Sequence, residues 1–220
     1  MIAEYFKSKK IVITAGPTYE KIDPVRFIGN YSTGKMGYAI AEELAQLGAE
    51  VHLVSGPTSL TPQHPSIQLY QVESAVQMYD TCVKIFPDCQ IAIMSAAVAD
   101  YRPDRYNEVK IKKSEENLTI HLVKNPDILS TLGHSKKANQ IVVGFALETH
   151  NELENALDKL RRKKADAIVL NSLNDPGAGF KHSTNKISII LEKGTIFEFP
   201  LKEKQEVAKD IIKCIAENLA

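Results

Sequence analysis

The sequence predicts an α/β protein built on a doubly wound, Rossmann-like and mostly parallel sheet with an appended C-terminal hairpin. Short apolar runs rich in β-branched residues alternate along the chain with helical patterns, which is typical of parallel strands joined by helical crossovers. Near the C-terminus, the apolar runs 187–191 and 195–199 flank Glu192-Lys193-Gly194, and this spacing predicts a β-hairpin. Neither a repeat nor a linker-like stretch interrupts the 220 residues, so we predict a single domain over residues 1–220.

The predicted elements follow in chain order from local patterns. Residues 11–14 (IVIT) predict a buried strand, and residues 36–47 predict a helix that ends at Gly48. A further helix is expected to begin at Asn125-Pro126-Asp127, with Asn125 as the N-cap and Pro126 in the first helical position. The remaining predictions are strands over 51–54, 67–72, 91–94, 118–123, 141–146 and 167–170, and helices over 74–86, 152–164 and 203–219.

Composition and charge argue against several classes of function. The 27 Lys and Arg residues balance the 27 Asp and Glu residues, which argues against a protein that coats nucleic acid or an anionic membrane. Cys82, Cys89 and Cys214 show neither CxxC spacing nor an even disulfide set. The N-terminus lacks the apolar stretch of a signal peptide, and no run of ~18 apolar residues occurs. We therefore expect a cytoplasmic protein that binds neither nucleic acid nor membrane.

Two connections are much longer than the fold requires. Residues 15–34 and 96–117 each follow a predicted parallel strand, where about 2–6 residues would suffice. Long ordered loops at the carboxyl ends of parallel strands commonly carry the sites of such folds. The functional site is therefore expected in these two loops.

The first of these loops leads into a predicted anion site. Residues 29–35 match GxxxxGK, but Met36 replaces the Ser or Thr that a P-loop uses for magnesium, and the motif lies ~15 residues beyond the strand. The segment also lacks the GxGxxG fingerprint of dinucleotide-binding proteins. Ser32, Thr33 and Gly34 nevertheless precede a helix whose free N–H groups attract an anion. The alternative is an ordinary capped helix start.

The second loop combines small residues, a carboxylate and lysines. Ala97 and its small neighbours let a flat ligand approach the backbone, and Asp100 offers a carboxylate beside them. The alternating lysines of KIKK share one face, although for this segment taken alone a solvated edge ribbon is the simpler explanation. Farther along, Lys159 and Lys163 lie four residues apart on one helix face, where they also complement the helix dipole.

Considered together, these blocks resemble the phosphopantothenoylcysteine synthetases. The resemblance rests on ITAGPT, DPVRFIGNYSTGKMG, AAVADYRP, KIKK, LVKNPDIL and VVGFALET, which run in the order of that family over nearly the whole chain. It implies an amide ligase of coenzyme A biosynthesis that joins 4′-phosphopantothenate to L-cysteine. Members with these motifs resemble the bacterial branch that uses CTP, so the implied co-substrate is CTP with Mg²⁺, and no flavin is implied.

The resemblance also implies roles for individual residues. Asn30 and Lys110 match positions associated with handling and forming an acyl-nucleotide intermediate, and they are the predicted catalytic residues. Pro17 departs from the ITAGGT of many fused enzymes and removes a backbone N–H donor, so only Gly16 is retained from that turn. The predicted nucleotide-binding set is Gly16, Ser32, Thr33, Gly34, Ala97, Asp100, Lys110, Asn125, Pro126, Asp127, Ile128, Phe145, Lys159 and Lys163. No metal ligands are predicted.

The implied chemistry activates a carboxylate that is otherwise a poor acceptor for an amine. CTP would convert 4′-phosphopantothenate into an acyl-cytidylate with release of pyrophosphate, and the amine of cysteine would then displace CMP. Because no flavoprotein segment precedes Met1, we expect a stand-alone synthetase that leaves decarboxylation to a separate protein. Family members are generally dimers and the predicted edge hairpin offers a surface for pairing, so a homodimer is expected.

Two alternatives from other classes remain. A nicotinamide-dependent oxidoreductase would suit the fold, although the missing glycine fingerprint argues against it. A non-catalytic nucleotide-sensing module would bind CTP and release no pyrophosphate with any acid.

Overall fold

The computed structural model describes residues 1–112, 117–172 and 182–219, which form a central sheet with helices on both faces. The strands in chain order are β1 (Lys10–Ala15), β2 (Tyr19–Lys21), β3 (Phe27–Gly29), β4 (Glu50–Ser55), β5 (Ile67–Gln71), β6 (Ile91–Met94), β7 (Tyr101–Pro103), β8 (Leu122–Lys124), β9 (Ile141–Glu148), β10 (Ala167–Ser172), β11 (Thr184–Leu191) and β12 (Ile196–Glu203). The helices are α1 (Ile2–Phe6), α2 (Lys35–Gln46), α3 (Ala75–Ile85), α4 (Ile128–Ser135), α5 (Glu152–Lys163) and α6 (Lys204–Asn218). None of the described helices is long and apolar enough to cross a lipid bilayer.

The main sheet confirms the predicted fold class. Its eight strands lie in the order β12-β11-β10-β9-β6-β1-β4-β5, and the six strands from β10 to β5 are parallel. Strands β11 and β12 form the expected C-terminal antiparallel hairpin. The chain runs outward from β1 to β5 and then resumes at β6 on the other side of β1. That reversal opens a crevice at the carboxyl ends of β1 and β6, where such folds bind ligands.

Both faces of the sheet are buried, which explains why its strands are continuous apolar runs. Along β1, the side chains of Ile11 and Ile13 pack in the cluster that includes Ile211 of α6. Val12, between them, packs in the opposite cluster with Leu132 of α4. Successive side chains of a strand point to opposite faces, so an apolar layer on each side requires apolar residues at every position.

The strand predicted over 118–123 is wrong in both extent and place. Only β8 forms, and it pairs with β7 in a separate two-stranded sheet outside the main one. Leu122 and Val123 are both substantially exposed, so no buried face fixes the alternating pattern. Apolar alternation predicts a strand only where one face packs against a core.

The helix predicted to begin at Asn125 begins later. Asp127 is the N-cap of α4, and its Oδ1 accepts a hydrogen bond from the Ser130 N–H at 2.8 Å. The Asn125 amide instead donates to the Ala99 carbonyl at 2.8 Å and accepts from Arg102 at 3.1 Å. A tertiary contact therefore takes the side chain that the local pattern assigned to capping.

The 15–34 connection contains a hairpin, formed by β2 and β3, that the sequence analysis did not predict. Tyr19 and Phe27 stack across it with their ring centroids 3.8 Å apart. Glu20 is buried and accepts a hydrogen bond from the Ala75 N–H at 2.8 Å, which ties the hairpin to the start of α3. Strands of three residues are too short to show a period, so cross-strand and tertiary contacts define them.

Candidate functional site

The principal cavity lies at the crevice where the sheet reverses. It has a volume of about 650 Å³, and it is bounded by the ends of β1, β6 and β9, the segment before α4, and α5. This volume is in the range of small-molecule sites, roughly 300–1,000 Å³. Of the predicted nucleotide-binding residues, those that line it are Asp100, Asn125, Pro126, Asp127, Ile128, Phe145, Lys159 and Lys163.

One wall of this cavity is formed by the segment after β6. Ala96, Val98 and Ala99 contribute small or short side chains to it. The Asn125 N–H donates to the Asp100 carbonyl at 2.9 Å, in addition to the bond from its side chain to Ala99. The two segments that follow β6 and β8 therefore hold each other, and they leave a surface that a flat group can approach closely.

The helix α5 presents cations to the opposite wall. Lys159 and Lys163 both line the cavity, as their spacing predicts. Lys163 forms an ion pair with Asp127, the N-cap of α4. Burial raises the pKa of Asp127, but hydrogen bonds from Lys163 and from the Ser130 N–H bring it below its ordinary value. Asp127 is therefore ionised at neutral pH and bridges α4 to α5.

Lys159 lines the cavity and is the α5 cation there without a close anionic partner among the described residues. Among the described residues it forms no ion pair within 4 Å. Burial lowers the pKa of Lys159, whereas the nearby carboxylates of Glu148, Asp127 and Asp100 raise it and the charge of Lys163 lowers it. A desolvated ammonium that faces a cavity is a strong binding partner for a phosphate that enters it.

Glu148 and Asn155 also line the cavity, and the sequence analysis missed them. Glu148 ends β9, and its Oε2 accepts a hydrogen bond from Asn155 Nδ2 at 3.1 Å. Asn155 also donates to the His150 carbonyl at 3.0 Å, which fixes the turn into α5. The signal was available, because Asn155 lies one turn before Lys159 on the same face of the predicted helix.

A second, smaller cavity of about 50 Å³ lies beside the start of α2. Ser32, Thr33 and Gly34 line this cavity and not the principal one, so the structure separates them from the other predicted nucleotide-binding residues. Phe145 lines both cavities and forms a shared wall. Lys35 is also part of the lining.

The start of α2 is not capped by a side chain from the described part of the protein. Gly34 is the N-cap with φ +79°, and Ser32 Oγ accepts only from the Gly34 N–H, at 3.3 Å. A glycine N-cap is compatible with both alternatives, so anion binding here stays a prediction. Residues of the first turn of α2 line the small cavity, and their N-cap, Gly34, has no side chain that could accept from their N–H groups. Amides at such a helix start can bind an anion.

Three glycines allow the backbones around the α2 start to converge. A Cβ on Gly56 would lie 1.7 Å from the Pro17 carbonyl oxygen, and one on Gly34 would lie 3.3 Å from the Gly16 nitrogen. Gly16 itself has φ +77°. Gly16 lines neither cavity; its carbonyl accepts from the Ala97 N–H at 2.9 Å, and it therefore joins the two long loops.

The small cavity contains polar groups that no local pattern indicated. Lys204 is largely buried and donates to the His182 carbonyl at 2.6 Å. Asn185, in the edge hairpin, is almost fully buried. Asn171 Oδ1 is buried and has no hydrogen-bond partner among the described residues. These side chains come from β10, β11 and α6, so only the assembled sheet brings them to α2.

The two predicted catalytic residues lie outside both cavities, on the loops that border them. Asn30 is exposed, and its Nδ2 donates to the Ala97 carbonyl at 2.9 Å, next to residues that line the principal cavity. Lys110 is exposed and makes no ion pair or hydrogen bond through its side chain with any residue that the structure describes. Their catalytic roles remain predictions.

Comparison with known proteins decides the family. The model of the DNA/pantothenate metabolism flavoprotein C-terminal domain matches residues 6–219. The chain belongs to this family. The membership confirms the resemblance to phosphopantothenoylcysteine synthetases at the level of the family, and it agrees with the motifs on which that resemblance rests.

The curated relatives of this family member are longer proteins. The chain is 44% identical to the coenzyme A biosynthesis bifunctional protein CoaBC of Borreliella burgdorferi and to that of Bacillus subtilis, with 96% of the chain and 53% and 52% of those proteins covered. It is 52% identical to a protein named cysteine/cysteine sulfinic acid decarboxylase from an unknown prokaryotic organism, with 94% of the chain and 58% of that protein covered. The chain thus spans little more than half the length of these relatives.

Solved structures agree with the fold. The crystal structure of the C-terminal domain of a CoaBC protein superposes with a TM-score of 0.82 at 45% identity, covering 98% of this chain and 97% of that one. A flavoprotein structure from Streptococcus pneumoniae gives 0.81 at 26% identity, covering 94% and 98%. A Cab2 variant in complex with phosphopantothenate-cysteine gives 0.77 at 18% identity, covering 98% and 91%, and that likeness shows the fold alone.

Proposed function

We propose that this protein is a ligase that joins 4′-phosphopantothenate to L-cysteine with CTP as the activating nucleotide. The observation that carries the proposal is the principal cavity, where a partly buried lysine without a close anionic partner faces a small-residue platform at the sheet reversal. Family membership supports a role of this chain in coenzyme A biosynthesis. The finer assignment, to CTP as the activating nucleotide, is part of the proposal.

The reaction proceeds in two displacements. A carboxylate oxygen of 4′-phosphopantothenate attacks the α-phosphorus of CTP, and the bond to the β-phosphate oxygen breaks, so pyrophosphate leaves. The cysteine amine then attacks the acyl carbon, CMP leaves with the electron pair of the anhydride C–O bond, and the amine loses a proton. Since an anionic carboxylate approaches an anionic phosphate in the first step, neutralisation of negative charge is the main contribution required of the protein.

The principal cavity accommodates CTP. The small residues after β6 admit the flat base, and Lys159 and Lys163 oppose the triphosphate from α5. Phosphate binding would compete with Asp127 for Lys163. Mg²⁺ enters the proposal bound to the nucleotide, because the described residues contain no group of three or more His, Cys, Asp or Glu that could hold it.

The small cavity receives the phosphate of the acid substrate. The uncapped amides at the start of α2, together with Lys35 and Lys204, supply positive charge there. An extended substrate that starts in this cavity and crosses Phe145 brings its carboxylate end to the principal cavity. Ser32, Thr33 and Gly34 then bind the acid substrate and not the nucleotide, which revises the role assigned from the sequence.

Pyrophosphate release tests the proposal as a whole. We expect release with CTP that depends on 4′-phosphopantothenate, occurs without cysteine in a single turnover, and becomes catalytic when L-cysteine is added. Binding of CTP without release would favour the nucleotide-sensing module. Oxidation of a reduced nicotinamide would favour the oxidoreductase, and release of CO₂ from cysteine would favour an activity like that named for the 52% identical relative.

The substitution Asn30→Asp is expected to lower the product-forming rate by about a hundredfold. A carboxylate there would oppose both the Ala97 carbonyl, now a hydrogen-bond acceptor for Asn30, and the anionic intermediate. The measurement is phosphopantothenoylcysteine formation at saturating substrates. Asn139→Asp adds the same charge on an exposed turn and serves as the control. Full turnover in Asn30→Asp would contradict a catalytic role and leave Asn30 with only a structural role in its turn.

We also propose a homodimer formed through the two small sheets outside the main one, β2-β3 and β7-β8. Large exposed side chains gather on β3, β7 and β8, among them Phe27, Tyr101 and Leu122. Exposed apolar surface of this kind is typical of interfaces. Light scattering is expected to give about twice the 24.4 kDa of the chain. Leu122→Glu is expected to give a monomer. The control is Leu201→Glu, because the Leu201 side chain on the edge strand β12 is about as exposed as that of Leu122, and this variant is expected to stay a dimer. The reverse result would place the interface at the edge hairpin.

A further inference from the structure

We propose that Asp23 and Arg26 are positioning residues that hold the segment carrying Lys110 in place for catalysis. The inference rests on the proposed function, because it assigns Lys110 to the first displacement. It concerns a contact between the two long loops. Neither Asp23 nor Arg26 lines either cavity.

Asp23 lies in the turn between β2 and β3, and its carboxylate is almost completely buried. Its Oδ1 accepts from the N–H groups of Val25 and Arg26, both at 2.9 Å, which satisfies the local turn. Its Oδ2 accepts from the Arg26 guanidinium, at 2.5 Å from Nη2 and 3.0 Å from Nε. The hairpin turn therefore needs only one of the two carboxylate oxygens.

The second oxygen reaches across to the other long loop. Asp23 Oδ2 accepts from the Ile111 N–H at 3.1 Å, and Arg26 Nη2 donates to the Ile111 carbonyl at 3.1 Å. Both polar backbone groups of Ile111 are thus bound by the charged pair. We call these contacts of Asp23 and Arg26 with Ile111 the clamp. Ile111 directly follows Lys110, so the clamp acts on the residue next to the proposed catalytic lysine.

A second attachment holds the same segment four residues earlier. The Asn107 N–H donates to the Ile22 carbonyl at 3.1 Å, next to Asp23 in the chain. Lys110 lies between the two attachment points, in a stretch that has no regular secondary structure. Every hydrogen bond that residues 107–112 make within the described part of the chain ends on residues 22–26.

The clamp consists of strong contacts and remains charged over the working pH range. The Arg26 guanidinium lowers the pKa of Asp23 most; burial opposes this effect, and the N–H groups of Val25, Ile111 and Arg26 lower it further, so its pKa lies well below the usual range. Hydrogen bonds with an ionised partner are about twice as strong as neutral ones. These contacts therefore limit where the segment 107–112 can place Lys110, and such preorganisation increases the rate of a positioned step.

The decisive experiment compares Asp23→Asn with wild type in two independent measurements. Asparagine keeps the size of the side chain but replaces an acceptor oxygen by a donor amide, so either the turn or Ile111 loses its partner. We expect amide hydrogen exchange at Ile111 to accelerate at least about tenfold. We expect kcat for pyrophosphate release to fall by roughly tenfold, with KM for CTP changed by less than about twofold. Asp104→Asn, an exposed carboxylate on the same loop, is the matched control.

Epistasis separates positioning from a general structural role. In a Lys110→Gln background, Asp23→Asn should change the residual rate by less than about twofold, since the residue that it positions is gone. Should Asp23→Asn fail to fold, Arg26→Lys keeps the charge, removes the two-point geometry and is expected to show the same pattern. Unchanged exchange at Ile111, or faster exchange with an unchanged kcat, would overturn the proposal. Wild-type protein without any pyrophosphate release would instead contradict the proposed function, and the exchange data would still decide whether the clamp exists.

Discussion

Lys110→Gln is expected to lower CTP-dependent pyrophosphate release by about a thousandfold, the upper end of the effect of losing one charge-stabilising donor. The ammonium of Lys110 is exposed and has no partner among the described residues, so nothing in the described structure requires it for folding. In the proposed first displacement, it would approach the anionic phosphate as the carboxylate attacks. Glutamine keeps most of the length and the hydrogen-bonding capacity of the side chain but removes the charge.

The measurement is single-turnover pyrophosphate release with 4′-phosphopantothenate and CTP both saturating. Lys112→Gln removes the same charge from an exposed position two residues away and is expected to retain a rate within about threefold of wild type, as for a solvated charge. The unfolding temperatures of both variants should match that of wild type. A normal rate in Lys110→Gln would remove Lys110 from the chemical step and leave Lys159 and Lys163 as the catalytic cations.

Gly56→Ala is expected to destabilise the protein by about 3 kcal/mol, because the new methyl group meets backbone that cannot move aside cheaply. Its Cβ would lie 1.7 Å from the Pro17 carbonyl oxygen and 2.8 Å from the Pro17 carbonyl carbon. Relief of that overlap requires the turn after β1 to separate from the end of β4. The same movement would displace Gly16 from Gly34 at the start of α2.

Thermal unfolding tests this expectation, with Tm falling by roughly 10 °C for a chain of this size. Gly194→Ala is the control: Gly194 has φ +84°, but a Cβ added there would meet nothing within 4 Å. That variant carries only the backbone strain of a left-handed conformation, about 1 kcal/mol. Equal Tm shifts in the two variants would contradict this expectation, because they would mean that a small local shift of the backbone removes the overlap at Gly56.

The parts of the site that were correctly predicted as neighbours lie within strands, in the loops that follow strands, or on one helix face. Asp100 follows β6, and Phe145 lies within β9, so the parallel sheet delivers both to the same edge. Lys159 and Lys163 share a helix face by their spacing alone. Each of these placements follows from a local period and from one global fact, which is that the strands are parallel.

The parts that the sequence analysis missed depend on contacts between distant segments. Asn125 was taken for a helix cap because its pattern is that of a cap, but a partner 26 residues away, Ala99, binds its amide. The buried polar groups of the small cavity come from three elements near the C-terminus and show no shared spacing. Ser32 to Gly34 line the smaller cavity, apart from most of the other predicted nucleotide-binding residues, and no local signal distinguishes one cavity from the other.

By itself, the amino-acid sequence determined the parallel sheet, its helical crossovers and the terminal hairpin, because burial on two faces and helical periodicity appear as short-range patterns along the chain. The order of its motif blocks indicated the family through resemblance. The tertiary structure alone decided that the predicted nucleotide-binding residues line two cavities instead of one, that Phe145 lines both, and that Asp23 holds Ile111 across 88 residues of chain. A side chain satisfies its hydrogen bonds with whichever group the fold brings within about 3 Å, and a linear pattern does not record that proximity.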